Sequence, residues 1–233
     1  MKTETLDPLR NSPWTWGDFV QPESLRDSGV WIKRDFLPEA FRRRLLDDAE
    51  ASQHELLPVE RTGVGLVTDS DVRRSSSVSV DEGLARELDQ MVVSLRGELP
   101  AGAIPEDAVH LPFQKILCYR PGDFFVPHSD ERPVPFGPNR SLIGHRKAIL
   151  IVGLSDPEDY DGGELELFGL VGSGHDNPFA DCGIPIKVPA GAAVSYQADV
   201  VHGVRPVTRG SRYVASGSFG YVTEPDADNR VDE

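Results

Sequence analysis

From Leu111 onward the chain is cut by glycine and proline into short apolar, β-prone runs, and before that point it carries two stripes at helical spacing. Runs such as Ile116 to Tyr119 and Ala148 to Leu154 suit strands in length and are bounded by turn residues. Strands of this kind must bury a face against a second sheet or close on themselves. The expected fold class is mainly β with flanking α-helices, around a double-stranded β-helix (jelly roll, cupin-like) core. Upstream, Val30-Trp31-Ile32-Lys33 reads as a strand. Pro38 opens a helix carrying Phe41, Leu45, Leu46 and Ala49. A second helix, about Glu82 to Leu99, aligns Leu84, Leu88, Met91, Val92 and Leu95. These stripes are the apolar faces that would buttress one sheet. The chain's 233 residues suffice for one sizeable domain. The expected organisation is an N-terminal arm over 1–29 and a domain over 30–222, followed by an acidic tail over 223–233. Within the domain, helical support covers about 37–99 and the jelly-roll core about 111–222.

Within the β-rich half, Pro127-His128-Ser129-Asp130 and Val201-His202-Gly203 offer three groups of metal-ligand type. Residues i and i+2 of a strand project from the same face, so His128 and Asp130 point an imidazole and a carboxylate into one space. A third ligand must come from elsewhere, and His202 is the candidate. Two neutral imidazoles and a hard carboxylate on one side of an octahedron leave the opposite positions free, the donor set of non-heme Fe(II) oxygenases.

The context of these residues is more specific. Tyr119-Arg120-Pro121-Gly122, then Phe124-Phe125 and Pro127-His128-Ser129-Asp130, resembles the prolyl 4-hydroxylase-like branch of the Fe(II)/2-oxoglutarate-dependent dioxygenases. Leu154 to Leu165, with Gly162-Gly163-Glu164-Leu165, resembles the corresponding turn of the bacterial PKHD-type hydroxylases in that branch. Val188-Pro189-Ala190-Gly191 and the block from His202 to Arg212 are similar to the family's closing segment. The resemblance covers roughly residues 30 to 222 with its motifs in order. It implies Fe(II) on His128, Asp130 and His202, with 2-oxoglutarate and O2 as cosubstrates and ascorbate as a supporting reductant. The implied reaction decarboxylates 2-oxoglutarate to succinate and CO2 and hydroxylates a substrate carbon. The superfamily's halogenases lack the carboxylate ligand, so Asp130 favours hydroxylation; desaturation and ring formation depend on substrate pose.

When 2-oxoglutarate chelates iron through its keto and C1 carboxylate oxygens, its C5 carboxylate lies several ångströms away and is best matched by a guanidinium fork. Arg205, Arg209 and Arg212 compete for that position. Along a regular strand from His202 the same-face residues are Val204, Pro206 and Thr208, which excludes Arg205. A three-residue hairpin through Thr208-Arg209-Gly210, with Gly210 left-handed, returns Arg212 to the His202 face. A two-residue turn at Arg209-Gly210 sends it to the other side. The resemblance assigns the role to Arg212 and so selects the three-residue turn. It also implies that the Tyr119 hydroxyl reaches the same carboxylate, although a core aromatic explains Tyr119 equally well.

The 38 acidic and 24 basic residues give a net charge of -14, which repels phosphate backbones and speaks against a nucleic-acid substrate. Met1 to Pro8 lacks the apolar region of a signal peptide, and the run Ala148 to Leu154 is far too short to cross a bilayer. Cys118 and Cys182 fit a reducing compartment without a disulfide framework. A soluble, cytoplasmic protein without membrane partners is expected, its oligomeric state unspecified.

Two segments interrupt the strand pattern near the ligands. Glu131 to His145, with three prolines, is placed to form a lid over the metal, and Val171 to Pro185 the opposite rim. His175 with Cys182 could suggest a second, zinc-type site, but a solvated loop histidine is the better reading of His175. Arg73-Arg74 before Ser75-Ser76-Ser77 reads equally as a solvated surface pair and as similar to the Arg-X-Ser strand of prolyl hydroxylases. The leading expectation is hydroxylation of an amino-acid-type substrate. Arg132, Arg140, Arg146 and Lys147 are available for its carboxylate, and Glu131, Asp176 and Asp181 for its amine. The runner-up is a peptidyl proline lying along Phe124, Phe125, Phe136 and Phe179. A non-catalytic, metal-binding cupin-like protein is the rival of another class, and it would have no use for Arg212 beside the ligands.

Overall fold

The computed structural model describes residues 29–61, 65–99, 103–111, 116–131, 133–136, 141–170 and 182–224. Residues 1–28 of the expected arm, including Trp14 and Trp16, and 225–233 of the tail lie outside the described residues. In chain order the elements begin β1 (Trp31–Lys33), α1 (Glu39–Ala51), β2 (His54–Leu56), β3 (Val59–Arg61), β4 (Gly65–Val67), β5 (Arg73–Arg74), β6 (Ser76–Val78) and α2 (Glu82–Leu95). Strands follow: β7 (Val109–Leu111), β8 (Ile116–Tyr119), β9 (Phe124–His128), β10 (Val134–Phe136), β11 (Leu142–Gly153), β12 (Asp161–Gly162) and β13 (Leu165–Leu167). The last are β14 (Ile184–Ile186), β15 (Ala193–Gln197), β16 (His202–Val204), β17 (Val207–Arg209) and β18 (Arg212–Thr223).

Both helices start where their sequences supply a start signal. Pro38 presets the entry to α1, and Asp81 caps α2 by accepting from the backbone N–H groups of Gly83 at 2.8 Å and Leu84 at 3.2 Å. Phe41, Leu45 and Ala49 of α1 and Leu84, Leu88, Val92 and Leu95 of α2 are buried. The second helix stops at Leu95, short of the expected Leu99. Beyond it the backbone continues as tight turns, Glu98 N–H reaching Leu95 O at 2.9 Å, while the Arg96 side chain donates to the carbonyls of Pro105, Glu106 and Ala108.

Two sheets face each other, giving the double-stranded β-helix. The larger runs β1-β15-β11-β18-β8-β6-β2, with β10 added beside β11 and β7 beside β18. The smaller runs β14-β13-β16-β9-β5. Alternation along the strands decides which core each residue joins. Leu150, Val152, Tyr213, Ala215, Ile116 and Cys118 pack against the helices. Ile149, Ile151, Val194, Tyr196 and Val214 turn inward to meet Leu165, Leu167, Ile184 and Ile186 of the smaller sheet.

Two expectations are corrected. Gly210 is left-handed, φ 70°, as the three-residue turn requires, but β17 and β18 do not pair with each other. β17 is held by β12, with Arg209 opposite and ion-paired to Asp161, while β18 pairs with β8, β7 and β11. At Gly210 the chain therefore passes from the separate two-stranded β12–β17 sheet into the larger sheet, packed so closely that a Cβ there would lie 2.0 Å from the Asp159 carbonyl oxygen. The segment expected as an irregular lid is also partly strand, because β10 pairs with the start of β11. Among the described residues β10 pairs with β11 alone, an edge position that tolerates the missing N–H of Pro135.

Candidate active site

β9 and β16 are antiparallel neighbours, with His128 directly opposite His202. The approach of the two strands is close at Gly203, where a Cβ would lie 2.9 Å from the Phe125 carbonyl oxygen. Asp130 lies just beyond β9 and is fixed by its backbone N–H donating to Ala198 O at 2.9 Å. His128 Nε2 stands 3.9 Å from Asp130 Oδ1 and His202 Nε2 stands 3.6 Å from Asp130 Oδ2. The three donor atoms lie within 4.8 Å of one another.

The protonation pattern suits a metal. Each imidazole Nδ1–H donates to a backbone carbonyl, His128 to Val126 at 2.9 Å and His202 to Val200 at 3.0 Å. A carbonyl can only accept, so the Nε2 lone pairs are left facing the carboxylate. Burial, then the neighbouring His202, lowers the His128 pKa to about 4, and burial also lowers that of His202. Both rings are thus neutral at pH 7. Two imidazole nitrogens and a carboxylate, converging from one side, fit Fe(II) with its other positions open.

Arg146 was expected on a lid loop but lies within β11, where a register shift between Arg146 and Ala148 re-aims the side chain. Its Nη1 is ion-paired with Asp130 Oδ1 at 3.0 Å, which orients the carboxylate and leaves Oδ2 toward His202. Lys147 is likewise a β11 residue; its carbonyl accepts from Ala198 N–H at 3.0 Å. On the opposite flank Phe125 stacks on His128 at 3.7 Å between ring centroids. Arg73 of β5 covers Phe125 at 4.5 Å and donates through Nε to Ser75 Oγ at 2.6 Å, so it is no solvated surface residue.

Deeper between the sheets, Arg212 is 2% exposed and paired across the ladder with Tyr119. Its guanidinium lies 5.3 Å from the Tyr119 ring centroid and beside the Tyr160 phenol, yet Nε and Nη1 find no hydrogen-bond partner among the described residues. A buried, fixed charge with open donors is poised for an anion. Its competitors are committed elsewhere. Arg205 Nη2 is 2.6 Å from Glu166 Oε1, and Arg209 pairs with Asp161 at 2.6 Å on the surface. Arg212 comes to this interior from the sheet facing His202 and not along the same ladder. Tyr160 and Tyr196 were missed by sequence reasoning. Tyr160 stands in the Gly-Gly-Glu-Leu segment, and Tyr196 is hidden in an apolar strand. Burial, then the Asp130 carboxylate, raises the Tyr196 pKa well above that of a free phenol, so it stays protonated. Arg132, Arg140, His175, Asp176, Phe179 and Asp181 lie outside the described residues.

A jelly roll with two histidines and one aspartate converging at one end, and between its sheets a buried arginine whose Nε and Nη1 find no partner among the described residues, defines a metal-dependent oxygenase architecture. A family model for the 2OG-Fe(II) oxygenase superfamily matches residues 114–220. The PKHD-type hydroxylase of Teredinibacter turnerae is 31% identical over 192 residues, covering 81% of this chain and 75% of that protein. That of Paracoccus denitrificans is 36% identical over 146 residues, and the match covers 62% of this chain but 59% of the relative. In the Cupriavidus metallidurans relative, 32% identical, the matched part is 65% of this chain and 64% of the relative. The chain belongs to the 2OG-Fe(II) oxygenase superfamily, in its PKHD-type hydroxylase branch. Among solved structures, a prolyl hydroxylase from Trichoplax adhaerens in complex with a hypoxia inducible factor peptide has TM-score 0.60 at 18% identity, covering 85% of this chain and 86% of that one. A Pseudomonas putida prolyl-4-hydroxylase has TM-score 0.51 at 21% identity, covering 85% and 96%. HygX from Streptomyces hygroscopicus, with nickel and 2-oxoglutarate bound, has TM-score 0.54 at 15% identity, covering 86% and 87%. These structures share the double-stranded β-helix fold. No described helix is long and apolar enough to cross a membrane.

Proposed function

We propose that this chain hydroxylates an unactivated carbon of an amino-acid-type substrate, free or carrier-borne, in a reaction that converts 2-oxoglutarate and O2 to succinate and CO2. The observation that carries the reading is Arg212, a buried guanidinium whose Nε and Nη1 have no partner among the described residues, in the interior beside the metal triad. A merely structural metal site has no use for it. His128, Asp130 and His202 would hold Fe(II), and Arg212 the C5 carboxylate, with Tyr119 beside it. Iron and 2-oxoglutarate bound there supply the oxidising chemistry. The protein's part is to fix the ligands, neutralise the carboxylates and hold the target carbon near the metal.

Arg146 and Arg73 support an anionic substrate group, since they border the triad on opposite flanks. A free amino acid carries its carboxylate close to every oxidisable carbon, so a cation near the metal suits it. Peptidyl proline is the second reading, favoured by the prolyl hydroxylase neighbours and by the half-buried Phe124 and Phe125 of β9. The deciding experiment measures succinate release and a 16 Da mass gain across the free amino acids and a panel of proline-containing peptides. Turnover confined to peptides would reverse the order. Absence of any 2-oxoglutarate binding by the Fe(II) protein would reject both readings.

A further inference from the structure

Tyr196 belongs to β15, opposite Ile149 of β11, and its ring lies in the interior among Ile149, Ile151, Val194 and Val214. It is fully buried and stands 4.9 Å from the His202 ring. A phenylalanine would fill this apolar site as well. The phenol oxygen, however, is one of the few buried side-chain polar atoms with no hydrogen-bond partner among the described residues. A hydroxyl in that state costs free energy until an acceptor arrives. The other unpartnered atoms include Arg212 Nε and Nη1 and Arg146 Nε, and the charges acting on the phenol are those of Asp130, Arg212 and Arg146. The unpartnered phenol thus lies beside the metal-ligand His202, ring to ring at 4.9 Å, in the interior that also holds the open Arg212 donors, where a 2-oxoglutarate molecule would sit.

We infer that Tyr196 is a cosubstrate-binding residue, its phenol O–H donating a hydrogen bond to 2-oxoglutarate held between the metal triad and Arg212. This rests on the reading of that interior as the 2-oxoglutarate site. Three groups then divide the work: the metal takes the chelating oxygens, Arg212 the distal carboxylate, and Tyr196 an oxygen along the molecule. The orphaned donors become satisfied together, so binding the cosubstrate also stiffens β15 against β18.

The test compares the full-length wild type, Tyr196→Phe and Arg212→Met, each loaded with Fe(II) under anaerobic conditions and titrated with 2-oxoglutarate. Binding is followed by calorimetry and by the charge-transfer absorption, and Fe(II) affinity is measured separately. For Tyr196→Phe the expected result is a 2-oxoglutarate Kd about tenfold higher, as for loss of one hydrogen bond to a charged group, with Fe(II) affinity unchanged. Because only an unsatisfied oxygen is removed, the ligand-free variant should melt no lower than wild type. Unchanged 2-oxoglutarate affinity in Tyr196→Phe, with Arg212→Met weakened, overturns this inference alone. Weakened Fe(II) binding with unchanged 2-oxoglutarate affinity also overturns it, by assigning the hydroxyl to Asp130. If Arg212→Met binds 2-oxoglutarate as wild type does, the underlying site reading fails instead.

Discussion

His128 and His202 face each other directly across the β9–β16 ladder, and each uses its Nδ1–H on the carbonyl two residues upstream, Val126 and Val200. The backbone thereby selects the same tautomer twice. Both Nε2 lone pairs converge on Asp130 without any side chain having to reorient when a metal enters.

That preorganisation makes the two histidines equivalent in a testable way. His128→Ala and His202→Ala should each lose stoichiometric Fe(II) and, with it, 2-oxoglutarate-dependent succinate formation. Metal analysis of the purified variants decides the matter; full iron content and activity in both would remove the triad assignment.

The His-X-Asp spacing pointed to His128 and Asp130 as neighbours, although Asp130 lies just beyond β9 and is set by its N–H on Ala198 O rather than by strand alternation, and the glycine- and proline-cut β runs made the two-sheet fold legible. What remained hidden is long-range in origin. The path to Arg212 was misread because β17 is captured by β12 through Arg209 and Asp161, residues 48 apart, and no local pattern around Gly210 encodes that pairing. Arg146 was assigned to a loop because the prolines between Glu131 and His145 masked the strand that begins at Leu142. Tyr196 could not be told from a core aromatic, since only the assembled sheets reveal that its hydroxyl has no partner among the described residues.

The depressed histidine pKa values give the metal-free protein a defined pH response. In the unfolded chain both histidines titrate near 6.5, whereas His128 in the fold titrates near 4 and His202 below its ordinary value. Between those limits the unfolded state binds more protons, so stability falls as pH drops from about 6.5 toward 4, by up to about 1.4 kcal/mol per pH unit for His128, with His202 acting in the same direction. Urea denaturation of the metal-free protein should show this slope. His128→Gln should flatten it, and a slope unaltered in that variant would contradict the assigned protonation.

Arg146 holds Asp130 Oδ1 at 3.0 Å with its own side chain half-buried, so removing it frees a metal-ligand carboxylate to rotate. Partners of this kind typically change metal affinity by about 10- to 100-fold. Arg146→Gln should weaken Fe(II) binding within that range, while Arg146→Lys, which restores the charge without the fork, should recover part of it. Metal affinity in Arg146→Gln equal to wild type would leave the ion pair without a role in the site.

The three arginines after His202 should separate cleanly when each is replaced by alanine. Arg209 and Asp161 are exposed and screened by solvent, so Arg209→Ala should change stability little and leave ligand binding alone. Arg205 pairs with a Glu166 that is 5% exposed, and truncation strands that carboxylate; a loss of about 3 kcal/mol is expected with little change in 2-oxoglutarate affinity. Arg212 reverses the pattern. Its buried Nε and Nη1 find no partner among the described residues. Arg212→Ala should therefore lose less stability than the burial of a guanidinium suggests, yet cost about 2 to 5 kcal/mol in cosubstrate binding, at least tenfold in Kd. Wild type should gain thermal stability on adding saturating 2-oxoglutarate to the Fe(II) protein, and Arg212→Ala should not. Denaturation curves and 2-oxoglutarate titrations on the three variants form one experiment. A ligand-binding defect appearing in Arg205→Ala rather than Arg212→Ala would move the cosubstrate to the other face of the smaller sheet, where Glu166 already occupies the cation.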